Sequence, residues 1–489
     1  MTSIGQRIAA GAAWMLFARF AERGLGFLST LILARLLMPE DFGLIAMAMS
    51  VSALLTLFAD FSFDLALIRN QEATREHYDT AWTLGLLILV LNGIALLLLA
   101  FPAAWLFDDP RIVPVMAMLA LASVVGGFEN VGVVAFRKEL DFRKEFLYLG
   151  GKKLASFLTT IPLAFVLGNY WALIVGIVAG VATGVALSYA LHPYRPRFSL
   201  KHWRELVGFS KWVLITNLAD FVPLHFATFV LGPITGAATL GVYTVGAELA
   251  RLPTTELVAP IDRAVYPAYA KLAGNQAALR RQYLSVLGLI AAFGLPAALG
   301  VAAIAPLAVP VLLGEKWLLA IVVVQTLAFA GAAHVLLSNS SAVFLAINKP
   351  WLDAAATAIH ALVLVVLLPL FAVWKGLHGA LVATLIAWAI FLPLSMWLVM
   401  RELKIRLTEL VGVLWRPLVA ALGMAFLVDL YARGAEMPVT LIALLSAVVL
   451  GVLCYGSLAA TAWWLAGRPD GAETAVLSGV NRWMEARRA

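Results

Sequence analysis

Apolar residues fill this chain in long runs, and polar residues gather in short connections between them. Runs of about 20 residues or more recur from end to end, each enough to cross the hydrocarbon of a bilayer as an α-helix. No water is available there to satisfy backbone amides, so such runs must close their own hydrogen bonds as helices. The pattern predicts fourteen: 13–37, 42–68, 80–106, 112–136, 146–167, 170–191, 209–232, 238–265, 282–312, 317–346, 351–374, 376–400, 414–432 and 439–466. None of the connections is long enough to hold a folded soluble domain.

Composition agrees with this reading. Of 489 residues, 63% are hydrophobic and 13% charged, against about 25% charged in soluble proteins; the mean hydropathy is +0.94. The one cysteine, Cys454, lies in an apolar run, which excludes an internal disulfide framework and a multi-cysteine metal site. The first apolar run is too long and too charged for a signal-peptide core, so no cleavable signal is expected.

Lys and Arg favour cytoplasmic loops. With the N-terminus inside, 24 of the 35 basic residues fall in cytoplasmic segments, and the outer loops keep only Arg35, Arg111, Lys316, Lys375 and Arg433. That asymmetry places both termini in the cytoplasm. It also accounts for the net charge of +7 without nucleic acid, as topology plus contact with anionic membrane lipids.

Between helices 6 and 7 lies a Pro-broken basic segment, His192-Pro193-Tyr194-Arg195-Pro196-Arg197, which suits a linker. The sequence on either side repeats weakly. At an offset of 198, Trp14 meets Trp212, Glu22 meets Asp220, Gly43 meets Gly241 and Asp64 meets Asp262, with ten of 56 positions identical. The expected organisation is an N-lobe (1–191), a cytoplasmic linker (192–208), a C-lobe (209–400), a terminal helix pair (401–466) and a cytoplasmic tail (467–489). The fold class is an all-α polytopic membrane protein. Its halves are parallel repeats, an arrangement that transporters use to expose a site alternately to each side. Gly176, Gly180 and Gly184 on helix 6 predict close helix packing within a lobe. Prolines in helices 7 to 9 are candidate hinges, though most such kinks are static.

Several charges lie within the spans. Helix direction puts Arg19, Glu22, Arg23, Asp60, Asp64, Glu129, Asn130, Lys152 and Lys153 in the inner half of the bilayer. The second half supplies Asn217, Asp220, Glu248, Arg251, Glu256, Gln325 and His334. Each central charge costs about 2.5–3.5 kcal/mol to insert, so a dozen facing lipid would rival the stability of an ordinary fold. They are therefore paired or wet. One reading is a closed network, such as Arg19 and Arg23 with Asp60 and Asp64, that holds helices 1 and 2 together. The other is a polar cavity open to the cytoplasm, with Arg19, Arg23, Lys152, Lys153 and Arg251 binding an anionic substrate. In that reading Glu22, Asp60, Asp64, Glu129, Asp220, Glu248 and Glu256 couple an ion or pair with bases, and Asn130, Asn217, Gln325 and His334 supply polar contacts. Catalytic chemistry is not visible: the chain has no phosphate-binding Gly-rich loop and no His-Glu-x-x-His pattern. No enzyme activity, metal site or organic cofactor is expected.

Four segments carry a resemblance. They are Leu33-Ala34-Arg35-Leu36-Leu37 with Phe42-Gly43-Leu44; Phe136-Arg137-Lys138-Glu139-Leu140-Asp141-Phe142; Tyr266-Pro267-Ala268-Tyr269-Ala270-Lys271; and Gly314-Glu315-Lys316-Trp317. In order and spacing the chain resembles Wzx-type oligosaccharide flippases, nearest the colanic-acid-type exporters. These belong to the superfamily that also holds multidrug extruders and the lipid II flippase. The resemblance implies two six-helix lobes plus a terminal pair in the bacterial inner membrane. It also implies translocation of undecaprenyl-pyrophosphate-linked oligosaccharide with H⁺ or Na⁺ as coupling ion. A polysaccharide polymerase and glycosyltransferases are the expected partners, and a monomer the expected state. The alternatives are a multidrug extruder, a lipid II flippase and a membrane-embedded glycosyltransferase or ligase.

Overall fold

The computed structural model describes the backbone of residues 23–59, 63–70, 72–139, 141–434, 439–469 and 474, and the side chains of these except 58, 59, 65, 207–224 and 252–264. Among the described residues the chain is helical throughout, with no strand. Nine helices there are long and apolar enough to cross a membrane, or ten if one bent pair counts as a span. Two compact units divide the chain, Met1–Gly241 and Val242–Ala489.

The first unit holds α1 (23–36), α2 (Pro39–Ala59), α3 (Phe63–Arg69), α4 (Arg75–Leu106), α5 (Ile112–Gly127), α6 (Val134–Lys138), α7 (Phe142–Leu167), α8 (Trp171–Leu191) and the start of α9 (Trp203–Leu272). Two expected helices are interrupted. The one expected over 42–68 stops at Ala59 and resumes at Phe63. The one expected over 112–136 ends at Gly127, and the chain turns by 68° before α6. Asn130 makes that turn. Its Oδ1 accepts from the Gly132 amide at 2.9 Å, its amide donates to the Tyr194 carbonyl at 2.7 Å, and its own N–H meets Ser188 Oγ at 2.9 Å. A side chain that offers the backbone other partners than its own helix ends the helix there.

The glycine stripe of α8 lies on α7. A Cβ on Gly176 would sit 1.7 Å from Thr160 Oγ1, one on Gly180 3.1 Å from Ser156 Cβ, and one on Gly184 2.6 Å from the Lys152 stem. The two helices run antiparallel at backbone contact, so the stripe packs within the unit as expected. The weak repeat also has a counterpart in space. A Cβ on Gly43 would strike the Ala237 carbonyl at 1.7 Å, and one on Gly241 would strike the Pro39 carbonyl at 1.8 Å. Residues 39 and 43 match 237 and 241 at the offset of 198, so the two contacts are related as a pseudo-symmetric pair.

The basic segment after α8 belongs to the first unit. It runs along the start of α4, where Asp79 Oδ1 accepts from Tyr194 Oη at 2.5 Å and from the Arg197 amide at 2.8 Å. The Ser199 amide donates to Thr83 Oγ1 at 3.0 Å.

The second unit holds the rest of α9 with α10 (Gln276–Leu312), α11 (Ala320–Leu337), α12 (Ser340–Ala346), α13 (Pro350–Leu403), α14 (Leu407–Gly434) and α15 (Leu441–Leu465). Its core centres on Tyr269, Tyr283, Leu287, Phe344, Val399 and Leu403. The terminal pair packs on α10, with Met424, Val428, Leu444 and Ala447 against Ala303 and Leu307. Arg280–Glu409 and Lys349–Glu402 ion pairs tie α10 to α14 and the start of α13 to its end. Breaks in the long helices fall at glycine: Gly236 in α9 (φ 77°) and Lys375–Gly376 in α13 (φ 55° at Gly376). Glycine reaches this left-handed region without a Cβ penalty.

Candidate functional site

The cationic face of the first unit is built on α7. Asp141 caps the helix by accepting from the Lys144 amide at 3.2 Å. Lys152 and Lys153 follow on the same helix, about 100° apart around the axis. Lys152 is half-buried. Its stem lies over Gly184, and its Nζ reaches Glu129 Oε2 and Tyr148 Oη, both at 3.0 Å. Lys153 is exposed, its Nζ beside Gly26 of α1, where a Cβ would be 3.7 Å away. Arg23, also exposed, stands one turn earlier on α1.

Asp64 has a partner that the sequence did not suggest. Its Oδ2 accepts from Arg137 Nη1 at 3.1 Å, and Arg137 Nε also donates to Glu145 at 2.9 Å. This bridge joins α3, α6 and α7. Sequence reading assigned Arg137 to a cytoplasmic loop; the motif Phe136-Arg137-Lys138 was the signal available. Glu129 likewise serves as the counter-ion of Lys152. Asn130 is fully buried and occupied in the turn after α5, so it does not line a cavity.

In the second unit Glu248 and Arg251 are both exposed on α9. Arg251 lies within electrostatic reach of His334 and Tyr243. Gln325 Nε2 donates to the Ala302 carbonyl at 3.4 Å, and His334 meets Trp388 edge-on at 6.0 Å. The sequence did not single out His360, which is buried, stacked on Phe391 at 4.6 Å and 5.0 Å from Trp388. Asn339, also buried, donates to Tyr269 Oη at 3.1 Å. Arg19, Glu22 and Asp60 lie outside the described residues, as do the side chains of Asn217, Asp220 and Glu256.

Among the groups beyond the spans with shifted acidity are His192 and Asp109. Burial pushes the His192 imidazole below its ordinary value, and its Nδ1 accepts from the Tyr194 amide at 3.2 Å. Burial works against the Asp109 charge, but hydrogen bonds from the Arg111 side chain and amide outweigh it and hold the carboxyl below the usual range. The geometry therefore provides a half-buried cation, Lys152, held by a carboxylate and a phenol. Among the described residues it shows no nucleophile with a matching base.

A family model described as polysaccharide biosynthesis protein matches residues 32–322. The lipopolysaccharide biosynthesis protein WzxC of Escherichia coli (strain K12) is 27% identical over 67% of this chain and 68% of its own length. The succinoglycan biosynthesis transport protein ExoT of Rhizobium meliloti (strain 1021) is 22% identical over 90% of both chains. Among solved structures, the lipid II flippase MurJ in an inward closed conformation superimposes with a TM-score of 0.72 at 14% identity, covering 91% of this chain and 98% of that one. The last likeness is one of fold. ExoT is by name a transport protein, and this chain is a multi-pass inner-membrane transport protein rather than an enzyme. It belongs to the polysaccharide biosynthesis protein family, among the Wzx-type flippases.

Proposed function

We propose that this protein moves an undecaprenyl-pyrophosphate-linked oligosaccharide across the inner membrane by alternating access, coupled to a proton or sodium gradient. The observation that carries the reading is Lys152, a half-buried cation on α7, which this reading takes as a membrane span, paired with Glu129 and set beside the exposed Lys153. A diphosphate offers the same charge-assisted hydrogen bonds as a carboxylate, and more of them. It can therefore displace Glu129 from Lys152 while Lys153 takes a second oxygen. The released Glu129 is then a carboxylate without its base, ready to take a proton or sodium ion. Fourteen spans with both termini in the cytoplasm complete the proposal, supported by the breaks that divide α9 and α13. The polymerase and glycosyltransferases that build and extend such a glycan are the partners this reading implies.

The test is translocation of lipid-linked oligosaccharide by purified protein in vesicles. Replacing Lys152 and Lys153 together by alanine is expected to lower the rate at least tenfold while leaving protein yield unchanged. Undiminished transport by that variant would overturn the reading. Export of cationic dyes by the wild type would point to the extruder alternative.

A further inference from the structure

A second cluster of chemistry-bearing residues lies away from these lysines, where the basic segment meets the start of α4. His77, His202 and Glu205 there each turn a ligand atom inward, all within 4.8 Å of one another. We propose that these three residues form a zinc-class metal site that clamps the segment before α9 onto α4. Glu205 Oε2 stands 3.3 Å from His77 Nε2 and 3.7 Å from His202 Nδ1. Ligands about 2.0–2.1 Å from a tetrahedral zinc ion lie about 3.3–3.4 Å apart, so these separations need little adjustment. The rings stack at 3.7 Å with 19° between planes; because a metal lies in the plane of a ligating ring, one imidazole must turn out of the stack to reach a shared ion.

The surroundings suit ligands rather than a chance contact. A ligating imidazole commonly presents its other nitrogen to an oxygen, which fixes the tautomer. His77 Nδ1 accepts from the Thr74 amide at 3.2 Å and lies 2.8 Å from Thr74 Oγ1, so metal on Nε2 requires the ring to change tautomer, with Nδ1–H then donating to that hydroxyl. His202 Nε2 is buried, forms no hydrogen bond, and lies 3.5 Å from Glu76 Oε2. Glu205 Oε1 is held by Asn70 Nδ2 at 3.3 Å, leaving Oε2 for the metal. Two imidazoles and one carboxylate are a borderline set that suits zinc, with water in the fourth position. Lys201 neutralises Glu76 at 2.7 Å, so Glu205 is the carboxylate that meets the cation.

The experiment uses tag-free, full-length protein in detergent, stripped with chelator and titrated with Zn²⁺ or Co²⁺. The expected results are one equivalent bound, visible absorption from tetrahedral Co²⁺, and a thermal midpoint that rises with the logarithm of free metal. Zinc is also expected to slow trypsin cleavage at Arg197 and Lys201. H202N and E205Q should each weaken binding at least tenfold. E205Q alters an exposed position and keeps the test open if H202N does not accumulate. Wild-type protein that takes up no metal saturably, or a folded E205Q variant that binds as the wild type does, would overturn the proposal.

Discussion

Lys152 reaches its place through contacts on three elements. Gly184 of α8 leaves room for its stem, Tyr148 one turn earlier shares its ammonium, and Glu129 beyond α5 supplies the counter-charge. Glu129→Gln is expected to keep substrate binding but change the pH or sodium dependence of transport in vesicles; unchanged ion dependence would remove Glu129 from coupling. His192 permits a second prediction at this scale. Its folded-state pKa is depressed, so its contribution to stability is full above the ordinary value of about 6.5. That contribution is lost as pH falls from there through the folded value. Protonation also removes the acceptor used by the Tyr194 amide. Thermal midpoints measured from pH 7.5 down to 5.5 should fall more steeply for the wild type than for His192→Gln, and parallel curves would contradict this. The in-span charges themselves were legible from hydropathy. Their partners were not, because Asp64 and Arg137 are 73 positions apart and no local pattern links them.

Helix contacts explain the glycines better than hinge motion does. Gly176 and Gly180 bring α8 onto Thr160 and Ser156 of α7, and small residues are what allow membrane helices to approach to backbone contact. Gly176→Leu would drive a side chain into Thr160 and is expected to lower stability by about 1–3 kcal/mol, read as loss of folded protein in detergent. Gly184→Leu would instead push the Lys152 stem aside. It should depress transport more than stability, and equal losses in both assays would refute that division. The stripe was legible in the sequence, as was the break at Lys375–Gly376 that separates two expected spans. The turn at Asn130 was not. Its hydrogen bonds go to Ser188 and Tyr194, some sixty residues away, and hydropathy carries no trace of them.

The whole molecule is a family member whose fold was written largely in its composition. Long apolar runs in a medium without water leave the backbone no choice but helices, and the Lys/Arg asymmetry predicts their direction. The internal repeat at offset 198 was faint in the sequence, yet its glycines recur as the Gly43–Ala237 and Gly241–Pro39 contacts. Replacing either glycine by valine is expected to abolish export, since the clash falls on a carbonyl rather than on a flexible side chain; normal export by both variants would show that the crossing is dispensable. Sequence alone determined the all-helical membrane class and most of the long apolar helices, because both depend on hydropathy within a window of about 20 residues. Only the tertiary structure decided which charge answers which, where a glycine admits a lysine stem, and that two histidines and a glutamate converge. Those facts depend on distances between residues far apart in the chain, and no periodicity along it records them.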